Sequence, residues 1–197
     1  MRQDDPIQRF SLWFRTAIER SPGSWFDPTA MTLATSGDGG HVSARIVLLK
    51  KFGPQGFTFY TNYASRKGKQ LSENPRAALV FYWPYLRRQV RAEGIVERVS
   101  TQESQEYFWS RPRLFQVAAT VSAQSEVIPS REFLVGRFRD SRRRFARQAV
   151  PLPKTWGGYR LVPDCVEFWQ HRENRLHDRI RYRKAITGTW VAERLSP

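Results

Sequence analysis

The chain has 197 residues, 40% of them hydrophobic and 14% aromatic, which places it with globular rather than disordered proteins. That length makes one folded unit over residues 1–197 the default, with enough chain to bury a core. The single cysteine, Cys165, excludes an internal disulfide and any CxxC metal site, and the net charge of +15 calls for an anionic partner: nucleic acid, an anionic membrane or small anionic ligands.

At the N-terminus Arg2, Asp4 and Asp5 follow Met1 at once, so no signal peptide is read there. No apolar run is long enough to span a bilayer, and a soluble, cytoplasmic protein is expected. Ile7, Phe10, Trp13, Phe14 and Ile18 recur at helical spacing behind Asp5-Pro6, predicting an amphipathic helix over about 6–20 that Pro22 and Gly23 end. Strands are then expected at about 30–35 and 42–51, joined by a Gly-rich turn at 37–40, and at 56–62. A short helix opens at Ser65, strands follow at 77–82 and 88–99, and a helix over 101–110 starts at a Ser100…Glu103 capping box. A further helix begins near Ser130, with Leu134, Phe138 and Phe145 on one face and Arg139, Arg142, Arg143 and Arg144 mostly outward. After a Pro-Leu-Pro loop at 151–153, closing strands are expected at 158–170, 176–184 and 189–195. Consecutive strands with short turns and peripheral helices argue for a mainly β (α+β) fold, an antiparallel barrel with added helices.

The most informative stretch is FYTNYASRKGKQL, in which an aromatic, Thr-rich strand hands over to a helix at an N-capping serine. A helix N-terminus offers unpaired N–H groups and partial positive charge, and Arg66 and Lys67 add a planar fork and a point charge. The result is a phosphate cradle without a glycine-rich loop. In RIVLLK, Arg45 and Lys50 fall on opposite faces of a regular strand and serve one site only if the strand bends. In NRLHDR, a period of two places Arg175, His177 and Arg179 on one strand face, about 13 Å end to end. Neither GxGxxG nor a P-loop occurs, nucleophile-elbow spacing is absent, and three scattered histidines with one cysteine offer no zinc site. The run of arginines from Arg137 to Arg147 raises nucleic-acid binding, but no known binding motif accompanies it, and a solvated helix face accounts for it.

In order along the chain, DPIQRFSLWF, AMTLAT, SARIVLLK, FYTNYASRKG, RRQVRAEGIVERV, YFWSRPR, VSAQS, VPLPKTWGGYRL, EFWQ, NRLHDR and ERLSP resemble the pyridoxine (pyridoxamine) 5′-phosphate oxidases, FMN enzymes that form pyridoxal 5′-phosphate. The resemblance implies a split β-barrel homodimer with FMN at the subunit interface. It implies FMN contacts from Arg45, Ile46, Val47, Leu48, Leu49, Lys50, Tyr60, Thr61, Ser65, Arg66 and Lys67, with further contacts from Gln89, Gln124, Ser125, Trp169 and Arg179. Lys50, Tyr107 and Arg111 match residues that hold the substrate phosphate, and Arg175 and His177 match the catalytic pair over the pyridine ring. The implied reaction oxidises pyridoxine or pyridoxamine 5′-phosphate with dioxygen, releasing hydrogen peroxide and, from the amine, ammonia; no metal is implied.

One departure falls in the substrate half: Phe115 stands where the family usually has a serine that completes the phosphate site. Loss of one hydrogen bond to a charged group costs roughly 1.5–3 kcal/mol, about ten- to hundredfold in affinity. Val117-Ala118-Ala119-Thr120 also departs from the family's Ile-Gly-Ala run. These changes leave open a related flavin oxidase of the phenazine-biosynthesis type, or a flavin- or pyridoxal-phosphate-binding protein without turnover.

Overall fold

The computed structural model describes residues 5–197, so the first four residues of the unit expected over 1–197 lie outside the described residues. The first helix, α1 (Pro6–Glu19), starts where Asp5 accepts a hydrogen bond from the Ile7 N–H at 2.8 Å and Pro6 occupies the first turn. Its apolar stripe turns inward, and Phe10 is fully buried.

The strands are β1 (Ala30–Ser36), β2 (Val42–Leu48), β3 (Lys51–Gly53), β4 (Gly56–Asn62), β5 (Arg76–Trp83), β6 (Arg88–Arg98), β7 (Trp156–Gln170), β8 (Asp178–Lys184) and β9 (Trp190–Arg194). All pairings are antiparallel, in the order β2-β1-β5-β6-β7-β4-β3, with β8 and β9 continuing from β7. The two edges of the main path, β2 and β3, are neighbours in sequence, so the sheet curls until one chain segment serves both edges. The turn between them is a bend: Leu49 N–H donates to the Thr29 carbonyl and Lys50 N–H to the Thr58 carbonyl. The single strand expected over 42–51 is therefore two strands, because its middle must leave β1 and reach β4.

Strand β7 changes partner along its length. Residues 156–161 pair with β4, and residues 165–170 pair with β8. Pro163, which lacks an N–H, sits at the changeover opposite a register shift at Glu93/Gly94 of β6. The β8–β9 hairpin thereby becomes a flange on a curled half-barrel.

The helices are α2 (Arg66–Glu73), α3 (Thr101–Ser110), α4 (Arg113–Val121) and α5 (Arg131–Arg144). The capping box at α3 is half formed: Ser100 accepts from the Glu103 N–H at 3.0 Å, but the Glu103 carboxylate turns to Arg160 at 2.8 Å. Helix α4 was not expected from sequence. It opens at Pro112 with no side-chain cap, and no Gly or Asn ends it. The strand expected from residue 176 starts at Asp178 instead. Glu173–Arg175 forms a 3₁₀ turn in which Asn174 and Arg175 have φ of 53° and 61°, so Arg175 and His177 leave the strand face they were to share with Arg179.

The main core fills the half-barrel. Phe10 of α1 meets the rings of Phe52, Phe57, Phe81 and Trp83 at centroid distances of 4.9–6.1 Å, tying β3, β4 and β5 to one helix. A smaller cluster of Phe108, Val117, Phe145, Val150 and Trp156 seats α3, α4 and α5 against the sheet. Phe10→Ala empties a site with no solvent access, and we expect a loss of about 3–5 kcal/mol in a urea unfolding titration followed by tryptophan fluorescence.

Candidate active site

The bend at Leu49–Lys50, the end of β4, the start of α2 and the α3–α4 junction enclose a cavity of about 870 Å³. Arg45 and Lys50 both line it, as the bent strand requires. Arg66, Lys67 and Arg111 complete a set of five cations, and no carboxylate among the described residues lines the cavity. Like charges gathered without a counter-ion are unfavourable in a walled space, so the arrangement fits an anionic ligand.

Two of these cations, Arg45 and Lys67, are held by neutral groups. Arg45 donates to the Leu33 carbonyl at 3.1 Å and to the hydroxyls of Thr35 and Ser43. Burial first, and Arg66 second, lower its pKa. Lys67 is only 8% exposed, and its Nζ donates to Gln124 Oε1 at 2.9 Å, Thr61 Oγ1 at 3.1 Å and Ser65 Oγ at 3.2 Å. Burial, then Arg45, push its ammonium down to about 8. Ser65 is buried and caps α2 by accepting from the Gly68 N–H at 3.4 Å, as its place in the sequence predicts. Gly68 is required by close approach, because a Cβ there lies 2.1 Å from the Tyr63 carbonyl oxygen. A phosphate-bearing group therefore fits this end of the cavity: an N-capped helix start, two basic side chains and an ammonium with no carboxylate partner.

The other end is aromatic. The rings of Tyr60 and Tyr107 stack at 3.9 Å, and Tyr60 stacks on Trp156 at 5.5 Å. The Arg111 guanidinium lies 4.9 Å from the Trp156 ring centre. Its Nη1 is buried and has no hydrogen-bond partner, an orphaned donor that fits a bound anion. Burial, followed by Glu103 and Tyr107, raises the Tyr60 phenol to about 12, and burial also raises Tyr107, so both rings stay protonated donors near neutral pH.

Of the candidates drawn from the sequence, Arg45, Ile46, Val47, Leu48, Lys50, Tyr60, Thr61, Arg66, Lys67, Tyr107, Arg111, Phe115, Gln124 and Ser125 line this one cavity. Ser125 is held at φ 74°, a left-handed conformation uncommon for serine. Leu49 does not line the cavity; it is buried in the main core, and Ser65 acts beneath the surface as the cap. Gln89, Trp169, Arg175, His177 and Arg179 are not among the lining residues. Four of them form a second cluster on the flange: Gln89 is the register partner of Trp169, Trp169 that of Arg179, and the His177 ring lies 4.7 Å from Trp169. His177 Nδ1 accepts from the Arg172 N–H at 3.1 Å, which leaves Nε2 to carry the proton of the neutral ring. Arg179 is anchored at 2.9 Å by Glu167, a carboxylate only 4% exposed, and that ion pair raises its pKa. Sequence reasoning missed Trp156, Ser43, Ala44, Ser110 and Pro112 as lining residues. Trp156 followed the Pro-Leu-Pro loop as a visible aromatic, but nothing local marked its stacking partners.

A curled antiparallel half-barrel with a cationic, ring-lined cavity is the architecture of a split-barrel flavoprotein oxidoreductase, and comparison with known proteins agrees. Residues 24–144 match the pyridoxamine 5′-phosphate oxidase family, and residues 156–197 match the pyridoxine 5′-phosphate oxidase C-terminal dimerisation region. The chain belongs to the pyridoxamine 5′-phosphate oxidase family. The pyridoxine/pyridoxamine 5′-phosphate oxidase of Bordetella avium is 54% identical over 192 residues, covering 98% of this chain and 89% of that protein. The one from Rippkaea orientalis is 50% identical over 193 residues, covering 98% and 90%. Among solved structures, PhzG from Burkholderia lata, in complex with tetrahydrophenazine-1-carboxylic acid, aligns with a TM-score of 0.92 at 28% identity over 100% of this chain and 94% of that one. A pyridoxamine 5′-phosphate oxidase-related, FMN binding protein from Nostoc punctiforme shares the fold, with a TM-score of 0.76 at 17% identity over 98% of both chains. Among the described residues no helix is long and apolar enough to cross a membrane, and no three metal-ligating side chains cluster.

Because the protonated form of Lys67 is the one that attracts a phosphate, affinity for a phosphate-bearing flavin should fall as pH rises through about 8. Flavin-fluorescence titrations of the apoprotein across that range measure it. Lys67→Met should weaken binding by roughly tenfold or more at neutral pH and remove the pH step.

Proposed function

We propose that the protein is an FMN-dependent oxidase that converts pyridoxine 5′-phosphate or pyridoxamine 5′-phosphate to pyridoxal 5′-phosphate, with dioxygen as acceptor, in vitamin B6 metabolism. The observation that carries this reading is the set of five cavity cations without a carboxylate, divided between a capped helix start and an aromatic corner with an orphaned guanidinium donor. Bound FMN supplies the two-electron oxidation of the substrate C4′ and its own reoxidation by dioxygen, with release of hydrogen peroxide.

The residues of the chain bind and orient. Arg45, Arg66 and Lys67 hold the FMN phosphate, while Thr61, Gln124 and Ser125 contact the cofactor from the loop side. Ile46, Val47 and Leu48 line the flavin along β2. Lys50, Tyr107 and Arg111 take the substrate phosphate, and Phe115 closes that corner with an apolar face. The flange cluster of Gln89, Trp169 and Arg179, with Arg175 and His177, lies outside the cavity of its own chain, and the match of residues 156–197 to a dimerisation region supports a homodimer in which a second copy brings this cluster to the cavity. There Arg175 clamps the substrate ring. His177, with Nδ1 held by the Arg172 N–H, presents Nε2–H as a donor to the substrate.

A related flavin oxidase of another aromatic substrate is the second reading, favoured by Phe115 in the acid-binding corner and by the likeness to PhzG. Purified protein should be yellow, and its flavin absorbance should bleach anaerobically with pyridoxine 5′-phosphate. A colourless protein that takes up no FMN when supplied rules out both readings. A flavoprotein that neither bleaches nor releases peroxide with pyridoxine 5′-phosphate overturns the B6 reading and leaves the second. Arg175→Ala should lower turnover by roughly tenfold or more with FMN still bound; an unchanged rate removes Arg175 from the mechanism.

A further inference from the structure

The aim of a cavity cation is set by the groups behind it, and for Arg45 those groups converge on one amide. Gln70 lies on α2 one turn beyond Arg66 and Lys67, is only 8% exposed, and does not line the cavity. Its Oε1 accepts from Thr35 Oγ1 at 2.7 Å and from Ser43 Oγ at 2.8 Å, and Arg45 Nη2 stands 3.4 Å away. The same two hydroxyls accept from Arg45, Thr35 from Nη1 and Ser43 from Nη2. The network thereby joins β1, β2 and α2 behind a single guanidinium.

The direction of these bonds follows from the donor count. A hydroxyl has one proton to give and two lone pairs to offer. With both hydroxyl protons committed to Gln70, their lone pairs are turned to the guanidinium. Gln70 Nε2 donates to the His41 carbonyl at 3.2 Å, which sets the amide with its oxygen toward the hydroxyls. A carboxylate of the same shape would accept the same bonds more strongly. It would also put a negative charge beside Arg45, in a site whose cavity has no carboxylate among its described lining residues.

We propose that Gln70 is a positioning residue for the FMN phosphate: it aims the Arg45 guanidinium through Thr35 and Ser43, and its neutrality keeps the charge of Arg45 available to the anion. The proposal rests on the flavin-oxidase reading and deepens it by adding a residue that touches no ligand and acts through one that does. An amide suits this place because it accepts several hydrogen bonds without cancelling the field they orient.

The test titrates FMN and riboflavin into the flavin-free wild type and its Gln70→Glu and Gln70→Leu variants, followed by flavin fluorescence. Riboflavin lacks the phosphate, so a fault confined to the phosphate grip changes the ratio of the two affinities, whereas a loosened fold lowers both. We expect Gln70→Glu to lose about ten- to hundredfold for FMN and less than about twofold for riboflavin. Gln70→Leu leaves Arg45 charged but frees the two hydroxyls to turn, and it should lose about fivefold for FMN. In an Arg45→Met background Gln70→Leu should cost nothing further, because its effect passes through Arg45. A wild-type affinity ratio in Gln70→Glu overturns the proposal, as does an equal cost of Gln70→Leu with and without Arg45. A wild type that takes up neither flavin refutes the flavin reading, and inorganic phosphate then decides this inference. Phosphate should raise the melting temperature of the wild type and not that of Gln70→Glu; equal rises, or none in the wild type, overturn it. Should Gln70→Glu fail to fold, Gln70→Leu and its Arg45→Met cycle carry the test.

Discussion

Positive charge without its counter-ion is the constraint around which this molecule is organised. Lys67 is buried among two hydroxyls and an amide oxygen, and Arg45 among hydroxyls and a backbone carbonyl. Such partners orient a cation and satisfy its donors without neutralising it. A carboxylate in the same place would be more stabilising to the free protein, and it would also cancel the field that draws an anion. The depressed pKa values of Lys67 and Arg45 record the cost in the free protein: burial, and then repulsion from Arg45 on Lys67 and from Arg66 on Arg45, act against the charged forms. A bound phosphate relieves both at once. Stability is given up where the ligand is to sit, a common arrangement at functional sites.

That charge can be gathered only because the sheet closes on itself. The bend at Leu49–Lys50 lets one stretch of chain contribute Arg45 from β2 and Lys50 beyond the corner, each backbone N–H finding a carbonyl on a different strand. Leu49 between them points into the core and pins the corner from inside. Gly68 allows α2 to start in contact with the Tyr63 carbonyl, which brings Arg66 and Lys67 over the end of β4. The Phe10 cluster of α1 holds β3, β4 and β5 in the curvature that makes these placements coincide.

Strand β7 divides the molecule's functional residues. Its first half carries Trp156 to the cavity, and its second half carries Trp169 to the flange. Glu167 is the structural centre of the flange: a nearly buried carboxylate with Arg179 at 2.9 Å and Arg91 at 3.1 Å. Breaking such a pair strands a buried charge, which makes the flange rigid in the way a surface ion pair does not. Arg179 in turn donates to the Ser196 carbonyl and accepts from the Leu195 N–H, so the C-terminal segment is tied to the same strand.

Local chemistry made much of this legible in the sequence. The Ser65 cap, the cations behind it and the Asp5-Pro6 helix start depend on neighbours within one turn, and each stands where it was read. Ordered motifs placed the chain in its family. The α4 helix was not legible, because its start lacks a side-chain cap and only its packing against α5 and the Phe108–Trp156 cluster holds it. The alternation through Arg175, His177 and Arg179 misled, since two residues with positive φ turn the chain before the strand begins. The sequence by itself determined which residues carry charge, cap helices and alternate along strands, because those properties are set by covalent structure and near neighbours. Only the tertiary structure decided that Arg45 and Lys50 share a cavity, that Leu49 faces away from it, and that the Trp169 cluster lies elsewhere. Those relations depend on the curl of the sheet and on the change of partner along β7, and both are fixed by pairings between residues far apart in the chain.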